Sequence, residues 1–295
     1  MALRRYLRTI RVTIGDAASA VVIDGLFVHF NIRREATSTP AEGTIDIYNL
    51  NESNETRIRE RAVRVLLEAG YQGAVEPIFD GVVRRVERQR VDLDRIVRVH
   101  VGGKISGAEV AGQGRRSVFV RGYETTVSVR ELVADGVETL GLVLGDISII
   151  PEDAVETDFS YNGDTQLMLR ERLRPLGIEW YEEDGVVRFS KIRASVDDRI
   201  EGVVISERTG MLGSPTETDD GVTVRTLLDP RLRLDTRIRI ESSVLDRGAS
   251  GDAENIRAGE VTLPGTVFKV VEVTHEGDNR EGPFETTVQA RPLDA

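Results

Sequence analysis

Thr44-Ile45-Asp46-Ile47-Tyr48-Asn49-Leu50 is the stretch whose reading decides the fold class. Side chains of a strand point alternately to its two faces, so Ile45 and Ile47 share one face while Asp46 and Tyr48 share the other. One face is predicted to be core and the other contact surface or solvent. The same alternation recurs in Val21–Phe30, Val63–Ala69, Ile78–Arg88 and Arg95–Val101, with Gly, Asn or Asp in most of the gaps. These runs predict an antiparallel sheet closing into a barrel. Between Asn51 and Arg61 the pattern turns polar, which predicts a loop carrying one or two helical turns, with Ser53 or Asn54 as the N-cap.

Near the other end, Val222-Thr223-Val224-Arg225-Thr226-Leu227-Leu228-Asp229-Pro230 shows the same succession of buried strand and turn. Each copy is followed by a polar connection containing Thr-Arg-Ile, at Thr56-Arg57-Ile58 and at Thr236-Arg237-Ile238, and Pro77–Val83 can be set against Gly265–Val271. Further strand-like runs are Val203–Ser206, Arg237–Glu241, Val267–Thr274 and Phe284–Ala290, and Asp246–Glu260 reads as a long polar loop. Two small antiparallel barrels would show this order with or without a duplication. A true repeat has a geometric consequence, because three copies of a chain with two similar units present six units around one axis.

The middle of the chain changes period. Val129, Leu132, Val133, Val137, Leu140 and Leu144 recur at helical spacing behind a Ser128/Glu131 capping box. A second helix is predicted over Thr165–Arg174, with Asp164 as N-cap and with Pro175 and Gly177 as stops. In Ile178–Phe189 an Asp184-Gly185 turn between two strand-like runs predicts a hairpin. Gly102–Arg121 is the most glycine-dense segment, read as a domain boundary or a mobile arm.

Composition narrows the function. The 295 residues carry 39 Lys plus Arg against 50 Asp plus Glu, a net charge of −11, which argues against a binder that gains affinity by neutralising phosphates. With no cysteine there is no disulfide framework, thiolate metal site or cysteine nucleophile. Arg4, Arg5, Arg8 and Arg11 interrupt the apolar residues of Met1–Ile14, unlike a signal peptide, and no apolar run approaches the roughly 20 residues of a membrane helix. Synthesis in a host cytoplasm and no membrane insertion are expected.

No motif predicts catalysis. His29, His100 and His275 lie in separate strand-like regions without a zinc-like pairing. Gly102-Gly103-Lys104 has Ile105 where a phosphate loop needs Ser or Thr, and Gly112–Ser117 lacks the third glycine of a dinucleotide turn. Asp219-Asp220-Gly221 and Glu276-Gly277-Asp278-Asn279 lack the alternating oxygen ligands of a calcium loop, and no Gly-x-Ser-x-Gly elbow is present. Fifty acidic residues do not single out the carboxylate pair that a glycosidase requires. The expectation is therefore no catalytic, metal or cofactor-binding residues and no cofactor.

Tyr48-Asn49-Leu50 closing a strand, Leu66-Leu67-Glu68-Ala69-Gly70-Tyr71 and Ile78-Phe79-Asp80-Gly81-Val82-Val83 resemble the N-terminal tube-like domain of baseplate hub proteins of tailed phages. Leu227–Leu232, Ile238-Arg239-Ile240 and Phe268–Asp278 resemble the C-terminal domain of that family, and the hairpin at Asp184-Gly185 is similar to its middle domain. The resemblance implies a mainly β chain with a smaller α+β middle domain and two tube-like antiparallel β-barrels. The expected divisions are an N-terminal barrel (1–102), a Gly-rich linker or arm (103–125), an α+β middle domain (126–198) and a C-terminal barrel (199–295). It further implies a homotrimeric, pseudo-sixfold hub in the virion tail baseplate, related in architecture to type VI secretion spikes. Such a hub joins the tail tube or distal tail protein to the central spike protein, with the tape-measure protein as a further partner. DNA would pass through without specific binding, past acidic side chains that repel its phosphates. The alternatives are a tail-associated cell-wall glycosidase and a type VI secretion-like spike component.

Overall fold

The computed structural model describes residues 7–16, 19–61, 63–104, 117–192, 202–218, 220–242 and 267–293. The glycine-dense stretch 105–116 and the expected loop 246–260 lie outside them. The first part is built from β1 (Arg8–Gly15), β2 (Ala20–Asp24), β3 (Val28–Glu35), β4 (Glu42–Tyr48), α1 (Glu52–Arg61), β5 (Arg64–Tyr71), β6 (Ala74–Val91) and β7 (Asp94–Gly102). Then come β8 (Val118–Gly122), β9 (Val127–Ser128), α2 (Val129–Thr139), β10 (Val143–Leu144), β11 (Val155–Glu156), β12 (Ser160–Asp164), α3 (Thr165–Leu173), β13 (Ile178–Glu183) and β14 (Val186–Lys191). The last part comprises β15 (Val203–Ser206), β16 (Met211–Thr218), β17 (Gly221–Leu227), β18 (Arg237–Glu241), β19 (Val267–Asp278) and β20 (Phe284–Pro292).

Most predicted elements are present, and the differences have local causes. The run Val21–Phe30 is two strands, because Gly25 takes φ +83 and turns the chain between β2 and β3. The cap of α1 is Asn51, whose side chain accepts the Asn54 N–H at 2.8 Å, and not Ser53 or Asn54. Ser128 and Asp164 cap α2 and α3 as predicted, accepting from the N–H groups of Glu131 and Leu167. Leu144 is not helical: Gly141 at φ +69 ends the turn after α2, and Leu144 joins β10, parallel to β14. Asp184 and Gly185, at φ +55 and +91, make the tight turn between β13 and β14.

Strand order exposes the repeat. One sheet runs β16-β17-β20-β19-β3-β4-β7-β6-β5-β1-β2, with β18 bonded to β19 and to β15. The set β3-β4-β7-β6, flanked by β5, has the connectivity of β16-β17-β20-β19, flanked by β18. The matches of Thr44–Leu50 to Val222–Pro230 and of Pro77–Val83 to the 265–271 stretch fall on equivalent strands, β4 with β17 and β6 with β19. The Thr-Arg-Ile match does not, since Thr56-Arg57-Ile58 lies in α1 whereas Arg237-Ile238 opens β18. The expected pair of closed barrels is also not what the pairing gives. Among the described residues no ring of strand pairs closes, and antiparallel β19–β3 pairing from Glu272↔Glu35 to Asp278↔His29 fuses the two sets into one sheet.

Three cores organise the chain. The first gathers Ile10, Phe30, Ile45, Leu67, Phe79 and Val99 from strands β1 to β7, so the sheet must curl for these side chains to meet. The second is built mainly on β15 to β20, with Val224, Leu232, Ile240, Val270 and Val288. The third packs α2 and α3 over β13 and β14, around Leu132, Leu169 and Trp180. Alternation along β13 sends Trp180 into the third core and Tyr181 into the second, so one strand joins two cores.

Candidate assembly site

The hairpin turn between β13 and β14 is the point where the parts of the chain are tied together. Asp184 Oδ1 accepts from Arg34 of β3 at 2.7 Å and from the backbone N–H of Asp80 of β6 at 3.2 Å. Its Oδ2 lies 3.2 Å from Arg233, in the connection between β17 and β18, and its backbone carbonyl accepts from Lys104 Nζ at 3.2 Å. A single aspartate thus contacts the first four-strand set and the connection that follows β17.

Arg34 sits on the core-facing phase of β3, in register with Val28, Phe30 and Ile32, and its side chain is 2 % exposed. Such a charge is tolerated only with partners. These are Asp184, Glu183 at 3.5 Å, and the Phe79 ring, whose centroid is 5.5 Å from the guanidinium carbon. Nearby, burial pushes the Asp80 carboxyl up, but bonds from Arg64 and Lys104 outweigh it and hold it below the ordinary carboxylate range. Burial raises Glu182 above that range, an effect partly offset by the Gly185 N–H donated to it at 2.6 Å.

The other side of the hairpin is held by Lys269 of β19, also buried. Its Nζ donates to Glu179 at 2.8 Å, Ser190 Oγ at 3.0 Å and the Lys191 carbonyl at 2.6 Å. Gly103 allows the close approach, since a Cβ there would stand 2.1 Å from Glu182 Oε2. Gly102-Gly103-Lys104 is therefore a strand end and an ion pair to Asp80, with no phosphate-loop geometry. Glu276–Asp278 are the end of β19 and not a turn, which begins at Asn279, and the stretch is structural: Asp278 accepts the N–H groups of Arg280 and Gly282, and Asn279 bonds Val28 and Leu26. His275 is fully buried against Thr286 Oγ1 at 2.9 Å; burial first, then the charges of Arg34 and Arg233, push its pKa down to about 3. His29 and His100 face Glu276 and Glu87 on the outer face of the sheet.

That outer face runs unbroken across the β19–β3 junction. It carries Arg33 paired with Glu272 at 2.9 Å, Arg98 with Asp46 at 2.6 Å and Arg225 with Glu285 at 3.6 Å. The split read from Ile45-Asp46-Ile47 holds in facing, with both isoleucines fully buried in the core, while Asp46 on the opposite face is covered by Arg98 and only 5 % exposed. Three carboxylates of this face are thus each met by an arginine. Among the described residues no group of three or more His, Asp or Glu is placed to hold a metal, and no helix is long and apolar enough to cross a membrane.

A continuous sheet of two tandem four-strand sets, pinned by one charged hairpin, is the arrangement that comparison with known proteins has to match. The sequence signature of the baseplate hub gp41 family matches residues 9–250. The chain belongs to the baseplate hub gp41 family. No curated protein matches it in sequence. Among solved structures, this hub chain is similar in fold to a tail protein from Neisseria meningitidis MC58, with 9 % identity, TM-score 0.55 and 97 % of each chain covered. It is also similar to the 43 kDa tail protein of prophage MuSo2 from Shewanella oneidensis, with 8 % identity, TM-score 0.58, and 97 % of this chain and 98 % of that one covered. A third is the E. coli c3393 protein, a type VI secretion component described as similar to the T4 tail proteins gp27 and gp5. There identity is 12 %, TM-score 0.56, and coverage 91 % of this chain and 74 % of that one.

Sequence reading identified the hairpin but not its role as an anchor. The available signal was Arg34, a charge on the core-facing phase of an otherwise apolar strand. Lys269 and Arg233 carried no such signal, because their partners come from distant parts of the chain.

Proposed function

We propose that this chain is a structural subunit of a phage baseplate hub, acting as a homotrimer and without catalysis. Its place is the virion tail baseplate, where it joins the tail tube or distal tail protein to the central spike protein and meets the tape-measure protein. The observation that carries this reading is the tandem order β16-β17-β20-β19 and β3-β4-β7-β6, with an unpaired edge at β16 and a partly unpaired one at β6. β16 pairs only with β17, and beyond Val83, whose N–H still bonds the Val63 carbonyl, β6 pairs only with β7. Such edges are templates for another strand. Three chains joined head to tail, β16 of one to β6 of the next, present six four-strand sets around an axis and cover the free edges of β16 and of the second half of β6. Each set, curled over its own core, then serves as one tube-like unit. The functional divisions are 1–102, 103–125, 126–198 and 199–295, the first and last forming the ring.

With the cores outward, the outer polar face of the sheet lines the channel. Its carboxylates and arginines are already paired, so DNA meets few free cations and slides without specific binding. Likeness to the type VI component supports the same kind of tube-to-spike junction. Sedimentation of the purified chain over a range of concentrations tests the proposal. The expected species has three times the 32.6 kDa chain mass. A stable monomer that also fails to join purified tube or spike protein overturns it.

A further inference from the structure

A cavity of about 410 Å³ opens between the β3–β4 connection, the end of α3, β13 and β20. Arg170, Arg174 and Arg291 line it, and among the described residues none of their side chains makes an ion pair or hydrogen bond. Of the two carboxylates of the lining, Glu179 is held by Lys269 at 2.8 Å, and Glu35 lies 2.6 Å from Arg33, which it shares with Glu272. In a chain of net charge −11 the cavity lining therefore carries more arginines than carboxylates, a local excess of positive charge. Its wall includes Trp180, 3 % exposed, whose Nε1–H has no acceptor among the described residues, and an orphan donor of this kind costs stability until an acceptor arrives. β13, which contributes Ile178, Glu179 and Trp180 to the lining, is also the edge of its three-stranded sheet.

We infer that this cavity binds an extended acidic peptide segment supplied by another protein of the assembly. Its volume exceeds that of one small anion, and Ala36, Ile178 and Ile192 offer apolar walls for side-chain methylenes. The arginines stand on two separate elements, α3 with its following turn and β20, so successive carboxylates of one strand meet different guanidinium groups. An open strand edge beside fixed side-chain sites is the arrangement by which sheets capture extended peptides. The inference concerns a single chain and is independent of the trimer.

The chain's one tryptophan makes the test direct. The full chain is titrated with the peptide acetyl-Val-Glu-Val-Glu-Val-Glu-amide while Trp180 emission and its indole N–H resonance are followed. Saturable shifts in both are expected, with affinity at least about tenfold weaker in an R170A/R174A variant, since each charge-assisted bond is worth a factor of this order. Both arginines are exposed, so the variant keeps its fold, and an R291A variant provides a second reading on another element. Four results overturn the inference: no saturable response, an equal response to the lysine analogue, unchanged affinity in both variants, or displacement by inorganic phosphate at the peptide's own concentration.

Discussion

Replacing Arg34 by methionine is expected to destabilise the folded chain by about 3 kcal/mol, the low end for breaking a buried ion pair. Methionine fills much of the volume, so the loss is electrostatic. Glu183 keeps Arg188 at 2.9 Å and Asp184 keeps Arg233 at 3.2 Å, which is why the low end applies. The cost falls where β3, β6 and the hairpin meet, so urea unfolding followed by Trp180 emission should show a lower midpoint. R34K should recover part of the loss, because an ammonium restores the charge but not the planar fork that reaches two carboxylates. A loss below about 1 kcal/mol, the range of surface pairs, would mean that the hairpin is not held by this contact.

The same variant has a pH signature. His275 stays neutral in the folded chain, with its pKa near 3, while the unfolded chain takes up a proton below about 6.5. The unfolded state then binds more protons, so folded stability declines as pH falls from 6.5 towards 3. Arg34 is one of the charges opposing protonation of His275. Removing it softens that acid loss, and the stability gap between R34M and the parent should narrow below pH 6.5.

Arg90→Pro is expected to abolish assembly while leaving the fold of the chain in place. Arg90 is exposed, near the end of β6 where only β7 is paired, and proline on an edge strand is a common natural block to further pairing. Sedimentation should show monomer at concentrations where the parent is trimeric, with an unchanged far-ultraviolet circular dichroism spectrum. A trimer as stable as the parent's would place the interface elsewhere. Leu93, 90 % exposed in the adjoining turn, is the natural second position to vary, since a bare leucine at a hairpin tip suits burial by a neighbour.

What the sequence revealed depended on whether the signal was local. Ser128 with Glu131, Asp164, and Asp184-Gly185 act within a few residues, and each placed its cap or turn correctly. Alternation found the β3 to β7 strands because one face of each is apolar. β16 escaped because Gly213-Ser214-Pro215 break its alternation at the register shift between Leu212 and Thr216. β1 escaped because Arg8 falls on the phase of Ile10, Val12 and Ile14 while Arg11 sits with Thr9 and Thr13 on the other, hiding the alternation. Closure was illegible in principle, since strands of a rolled open sheet and of a barrel carry the same pattern. Only the β19–β3 pairing, between residues some 240 positions apart, distinguishes them. The arginine cavity was hidden for the same reason, because the β3–β4 connection, the stretch from α3 to β13, and β20 are distant in the chain and build it together.

Electron microscopy of the assembled tail tip, with this subunit labelled, tests the central claim most directly. Three copies should form a closed ring of six similar four-strand sets, with β16 of each chain laid along β6 of the next. A single copy, or copies that leave both edges in solvent and touch through other surfaces, would contradict it.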